Sequence, residues 1–264
     1  MNNQYALIDL SYIDLAIGLL LMILTAGFSR LKDLGMGRDL VLSSIRTFIQ
    51  LIAVGFLLKF IFNSNNPYFI ALVIVIMLGV SIITVTGRID KRTKELPYIV
   101  GLSMFAGTGL SVFILTQLLL NISPWYEPYY LIPIAGMILG NSLTGATLAV
   151  ERIDSEIKSR SAEIEAYLAL GATSGQAGSS CIKSALKASM IPTINSMMVV
   201  GIVSLPGMMT GQILSGTSPL TAVKYQIIIM YMIALSVGVT SLILTNLRFK
   251  RYFTPYHQLR EDAL

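Results

Sequence analysis

The 264-residue chain is 54% hydrophobic and only 12% charged, with 19 Lys and Arg against 14 Asp and Glu. Soluble domains carry about 25% charged residues, so this composition excludes a water-facing globular fold and points to a chain solvated by lipid. A single cysteine, Cys181, and a single histidine, His257, exclude an internal disulfide framework and a cysteine-clustered or multi-histidine metal site. The first residues lack a basic region and a small-residue cleavage site, so no removable signal peptide is expected.

Spanning about 30 Å of hydrocarbon takes about 20 apolar residues per helix. Apolar runs of that kind fall at about 10–28, 40–62, 68–86, 98–120, 131–150, 190–205 and 222–244. The first is followed by Arg30, Lys32 and Arg38 with Asp33, Asp39, Gly35 and Gly37, and the second ends in an Asn/Pro turn. Arg88, Lys91, Arg92 and Lys94 follow the third, and the aromatic loop with Trp125, Tyr126, Tyr129 and Tyr130 follows the fourth. Amphipathic rings favour the headgroup level, so this loop reads as an interface belt. The expectation is one all-α membrane domain over 1–264, a polytopic bundle of about seven transmembrane helices.

Lys and Arg in short loops set orientation. With the N-terminus outside, the basic clusters after the first, third, fifth and seventh runs all fall inside. Only Lys59 and Lys224 lie near the outer face. The excess of basic residues is then a topogenic signal. A nucleic-acid surface is the poorer reading, because no basic patch is interleaved with stacking aromatics.

The stretch 151–188 is the only long polar segment. In VERIDSEIKSRSAEIEAYLAL, apolar residues recur near helical spacing, which predicts a helix continuing inward from the fifth run. Gly171 offers a left-handed stop, and Thr173 with Gln176 three residues later predicts a capping box opening the next helix. Helix, glycine turn, helix makes a cytoplasmic elbow with a knob of small residues, suited to docking a partner. An ordinary long loop between spans is the plainer alternative. The chain has no Ser/His/Asp set and no G-x-x-x-x-G-K-[ST] phosphate loop, so it is not expected to be an enzyme or to bind ATP. Active transport would draw on another subunit or an ion gradient.

Other residues admit two readings each. Gly136 and Gly140 form a G-x-x-x-G with Thr144 one turn on, either a seam between two copies or packing within one chain. Asn141, Asn195 and Ser196 are polar at membrane depth, lining a translocation path or holding helices together. Pro206, Gly207, Met208, Met209 and Gln212 belong to a Gly/Pro-rich stretch that does not continue a helix easily. It reads as a re-entrant loop or gate near the outer face, or as a plain outer loop. The 13 methionines serve as packing or as soft metal ligands. Asp14 is the main carboxylate candidate for a cation, and Glu127 lies in an outer loop. Arg46, four residues before Gln50, snorkels to the inner headgroups or lines the inner mouth of a path. No metal site can be assigned from these residues.

Two sets of residues carry a family resemblance. Glu165, Ala166 and Tyr167 followed by Gly171 resemble the EAA-type coupling motif of ABC-transporter permeases, although Pro192 lies further from the glycine than that motif's proline does. IPIAGMILGN (132–141), LGAT (170–173), IPTINS (191–196) and VSLPGMMTGQILSGTSPLTAVKYQI (203–227) resemble the Fet-type permeases. That membrane family is linked to bacterial iron export and, in plants, to aluminium tolerance. The resemblance implies a permease in the plasma or bacterial inner membrane that exports iron. It implies two permeases and two ATP-binding subunits per transporter, with ATP and magnesium held on the partner and no cofactor on this chain. It places ATPase coupling on Glu165, Ala166, Tyr167, Gly171, Ala172 and Thr173. From the residues alone, an ion-gradient-driven secondary transporter or a seven-helix receptor stays open.

Overall fold

In hydrocarbon every spanning backbone group must bond within the protein, so long apolar runs fold as helices. The computed structural model describes residues 11–31, 37–64, 66–89 and 94–260. Their helices are α1 (Tyr12–Leu31), α2 (Gly37–Ser64), α3 (Pro67–Gly87), α4 (Leu96–Phe113) with a π-helical continuation (Ile114–Leu119), and α5 (Pro128–Ser159). The short helices α6 (Ser161–Ala169) and α7 (Ser174–Ala177) lead into α8 (Ser179–Val199), α9 (Gly207–Leu214) and α10 (Pro219–Lys250). Five of these are long and apolar enough to cross a membrane: α2, α3, α4 with its π turn, α5 and α10. The protein is a polytopic helical membrane protein. The two other apolar runs fall on α1, whose apolar stretch Ile13–Ser29 is shorter, and on α8, which carries Lys183 and Lys187 in its first half. Lys32, Gly35, Lys91 and Arg92 lie outside the described residues.

The chain divides into two compact units, residues 1–66 with 214–216 and residues 67–213 with 217–264. In the first, α1 opens on a capping box. Asp14 accepts from the Ser11 N–H and hydroxyl, both at 2.9 Å. That carboxylate, a candidate cation ligand by sequence, is engaged in capping the N-terminus of α1. A Cβ on Gly37 would lie 3.2 Å from the Ala26 carbonyl, so the start of α2 sits close against α1.

In the second unit α3, α4, α5, α8 and α10 pack side by side. Val100, Met104, Leu139, Ala146, Val150 and Leu244 share one core, and Leu115, Ile134, Ile138, Ile229 and Val237 another. Glycines let these helices approach, but at other positions than the G-x-x-x-G. A Cβ on Gly107 of α4 would strike Thr240 and come 2.7 Å from the Ser236 carbonyl. One on Gly145 of α5 would come 2.6 Å from Val237. Gly136 has only Met77 nearby, at 3.1 Å, and Gly140 faces open space.

A seam of buried hydroxyls runs through this packing. Ser103, Thr116 and Thr147 donate to carbonyls of their own helices, Ile99 at 2.7 Å and Val112 and Leu143 at 2.9 Å. Ser142 and Ser236 share a 2.7 Å hydrogen bond between α5 and α10.

The sixth run departs from expectation at both ends. Its helix begins at Ser179 and stops at Val199 with Pro192 inside it, rather than filling 190–205. Residues 200–205 turn about Gly201, which has φ +84 and donates to the Ser204 carbonyl at 2.9 Å. The stretch after Pro206, expected to be non-helical, is α9. Pro206 sits just before the first helical residue, where its missing N–H costs nothing, and its carbonyl accepts from Thr210 N–H at 3.0 Å.

Candidate coupling elbow and membrane cavity

At 1.5 Å per residue, a 32-residue helix is about 48 Å long, well beyond the hydrocarbon thickness. Both α5 and α10 have that length. Their charged ends therefore stand clear of the hydrocarbon side by side. There Arg248 of α10 grips Asp154 of α5 with both ends of its fork, Nε to Oδ1 at 2.9 Å and Nη2 to Oδ2 at 2.8 Å. The Arg248 side chain is 3% exposed, and its guanidinium lies 5.4 Å from the centre of the Tyr252 ring. Burial pushes the Tyr252 phenol above its usual range.

The elbow grows from the end of α5. Arg160 leaves helical geometry with φ −113 and ψ 17, and its guanidinium donates to both oxygens of Glu163 at 2.8 Å. That hydrogen bond holds the Glu163 carboxyl below the usual carboxylate range. Helix α6 ends in a Schellman turn: Gly171, with φ +87, donates to Leu168 O, and Ala172 donates to Tyr167 O, both at 3.0 Å. The capping box follows as the spacing predicts. Gln176 N–H donates to Thr173 Oγ1 at 3.4 Å, and Thr173 N–H donates to Gln176 Oε1 at 2.9 Å.

This elbow has its own small core. Ile153 and Ile157 of α5, Ile164 of α6, Ala177 of α7, Cys181 and Ala185 of α8, and Phe249, Tyr252 and Phe253 pack together. Gly178 lies under the Phe249 ring, so no Cβ fits there. Burial pushes the Cys181 thiol up, which leaves it a packing residue rather than a nucleophile.

Beyond α10 the chain folds back onto the elbow. Thr254 N–H donates to Gln258 O and Arg260 N–H to Tyr252 O, both at 2.9 Å. The His257 Nδ1 accepts from Ser174 N–H at 3.3 Å and lies 2.9 Å from the Ser174 hydroxyl. Elbow and tail enclose a cleft of about 450 Å³ lined by Glu165, Leu168, Gly171, Ala172, Tyr256 and His257 among others. Leu170 and Tyr256 are 85% and 84% exposed, and Tyr167 is 48% exposed. Glu165, Ala166 and Thr173 are also exposed, so the residues expected to dock a partner share one accessible knob.

The residues expected along a translocation path are not brought together. Asn141 is exposed on α5 and donates to its own helix, to Met137 O at 2.8 Å. Asn195 and Ser196 are exposed on α8. Gly207 is exposed, while Pro206, Met208, Met209 and Gln212 are half-buried around α9. Met208 packs against the core of α10, and Met209 instead lines a separate cavity of about 420 Å³ with Met197, Gln226 and Met230. The sequence reading missed Gln226, Asp154, Arg248 and Gly178. Gln226 is an amide within an apolar run, a signal of the same kind as Asn141.

The chain resembles several known proteins along nearly its whole length. It is 42% identical to UPF0014 membrane protein slr1647 of Synechocystis over 97% of this chain and 99% of the relative. It is 38% identical to the protein ALUMINUM SENSITIVE 3 of Arabidopsis thaliana, covering 93% and 88% of the two chains. It is 33% identical to the "Probable iron export permease protein FetB" of Escherichia coli, covering 93% of each. No solved structure matches it. The model of the uncharacterised protein family UPF0014 matches residues 12–253, and the chain belongs to that family.

Proposed function

We propose that this chain is the membrane-spanning permease subunit of an ABC transporter that exports iron, with ATP and magnesium bound by a separate ATPase subunit. The observation that carries the reading is the elbow. A Schellman turn and a capping box fix two short helices at the polar end of the bundle, with Tyr167, Leu170 and Tyr256 exposed there. A rigid apolar knob beside Glu165 is a shape a soluble partner can grip. The name of the Escherichia coli relative supports iron as cargo and outward movement as direction.

In this mechanism, closure of the ATPase dimer moves the knob. Arg248 and Asp154 carry that displacement into α5 and α10 together. Two permeases and two ATPases make one transporter. The exposed stripe of Gly140, Asn141 and Thr144 on α5 is the face offered to the second permease, because small and polar residues favour close helix contact in lipid.

Co-purification tests the proposal. Leu170→Asp and Glu165→Lys are expected to abolish recovery of the ATPase with the permease and to uncouple hydrolysis from transport. Unchanged association in both variants would sink the elbow assignment. In vesicles carrying both subunits, ATP-dependent iron movement is expected, and its absence would refute the cargo.

A further inference from the structure

Helix α8 stops at Val199, and helical structure resumes only at Gly207. Backbone outside regular helix in a membrane protein is found where it lines a cavity, and transporters place ions at broken helices. Here Val200 and Gly201 open onto the cavity of about 420 Å³. Three thioethers share its wall, each from a different element: Met197 of α8, Met209 of α9 and Met230 of α10. Gln226 joins them one turn before Met230 on the same face of α10. It is 6% exposed, and its Oε1 has no hydrogen-bond partner.

A methionine used for packing needs neither a void beside it nor an unpartnered amide oxygen. This group has both. The donors are uncharged and mostly soft, and no cluster of three or more His, Cys, Asp or Glu occurs among the described residues. A neutral set cannot compensate the lost hydration of a highly charged ion, and thioether sulfur favours Cu(I) among transition-metal ions. We propose that this cavity binds a soft, low-valent metal cation through the sulfur atoms of Met197, Met209 and Met230 and the side-chain oxygen of Gln226. Cu(I) and Ag(I) bind tightest, Fe(II) binds more weakly, and Fe(III) is excluded. The inference deepens the transport reading, since iron that passes this point does so in the reduced state. The binding itself needs no ATPase.

The test is titration of the purified full-length permease with Ag(I), a redox-inert probe, in chloride-free detergent solution. A Cys181→Ala background removes the lone thiol. Saturable binding of about one Ag(I) per chain is expected. Met209→Leu with Met230→Leu is expected to weaken it at least tenfold, and Met198→Leu, which is 72% exposed and outside the cavity, to leave it unchanged. Fe(II) under anoxic conditions is expected to displace Ag(I) only in large excess. Non-saturable Ag(I) binding, or equal affinity in the double variant, would overturn the site. X-ray absorption at the silver edge gives a second reading: sulfur neighbours that are lost in the double variant support the site, and sulfur neighbours that persist in it, or a shell of oxygen and nitrogen alone, overturn it. Ag(I) binding by a permease that fails to recruit an ATPase would remove the transporter reading and leave the metal site standing.

Discussion

Replacing Asp154 by alanine removes the carboxylate half of the clamp between α5 and α10. Arg248 keeps its charge, and its side chain is 3% exposed. Losing one partner of a buried ion pair costs about 3–5 kcal/mol, because the remaining charge loses its counter-ion. For a chain of this size each kcal/mol moves the melting temperature by about 2–4 °C, so Asp154→Ala is expected to lower it by about 10 °C. Pairing Asp154→Ala with Arg248→Met removes both charges and restores apolar contact. That double variant is expected to recover at least half of the loss. Thermal unfolding of the detergent-solubilised permease, followed by intrinsic fluorescence, reads both values. A drop under 2 °C for the single variant, or a double variant worse than the single, would refute the argument that the charge is buried and paired.

Three further outcomes follow from the elbow. Gly178→Ala pushes a methyl into the Phe249 ring and is expected to cost about 1–3 kcal/mol by overpacking; Phe249→Leu in the same chain should relieve it, as thermal unfolding will show. Gly171→Ala forces a side chain into left-handed geometry at about 1–2 kcal/mol and should raise amide hydrogen exchange across 168–173 without touching the membrane helices. The Glu163 carboxyl is held low by Arg160, so this staple is fully formed above the ordinary glutamate value of 4.5 and is lost as pH falls through the lower folded value. Exchange at Ile164 and Glu165 should therefore rise below that pH in the native chain and show no such step in Glu163→Gln.

The elbow was legible because its signals are local. A glycine at the end of an apolar-periodic stretch and a threonine three residues before a glutamine specify a turn and a cap whatever surrounds them. The clamp was not legible, since Asp154 and Arg248 are 94 residues apart and nothing in either neighbourhood names the other. The glycine contacts failed for the same reason. Gly136 and Gly140 have the spacing of a close-packing motif, yet Gly107, Gly145 and Gly178 are the ones with no room for a Cβ. Which face of a helix meets a neighbour is decided by the assembled bundle. Helix α9 was read as a loop from its glycine and proline content. Pro206 precedes the first helical residue, and Met208, Met209, Gln212 and Ile213 then wind normally.

The hydroxyl seam bears on how such a bundle can move. A serine or threonine that donates to the carbonyl four residues back satisfies itself within its own helix and sets no register with the helix beside it. Ser103, Thr116 and Thr147 do this at 2.7 to 2.9 Å. Two helices that face each other solely through such groups and small residues can slide past one another without breaking a hydrogen bond between them. Between α5 and α10 the Ser142–Ser236 pair, at 2.7 Å, and the Arg248–Asp154 clamp do set a register, so those two helices are latched to each other at two points.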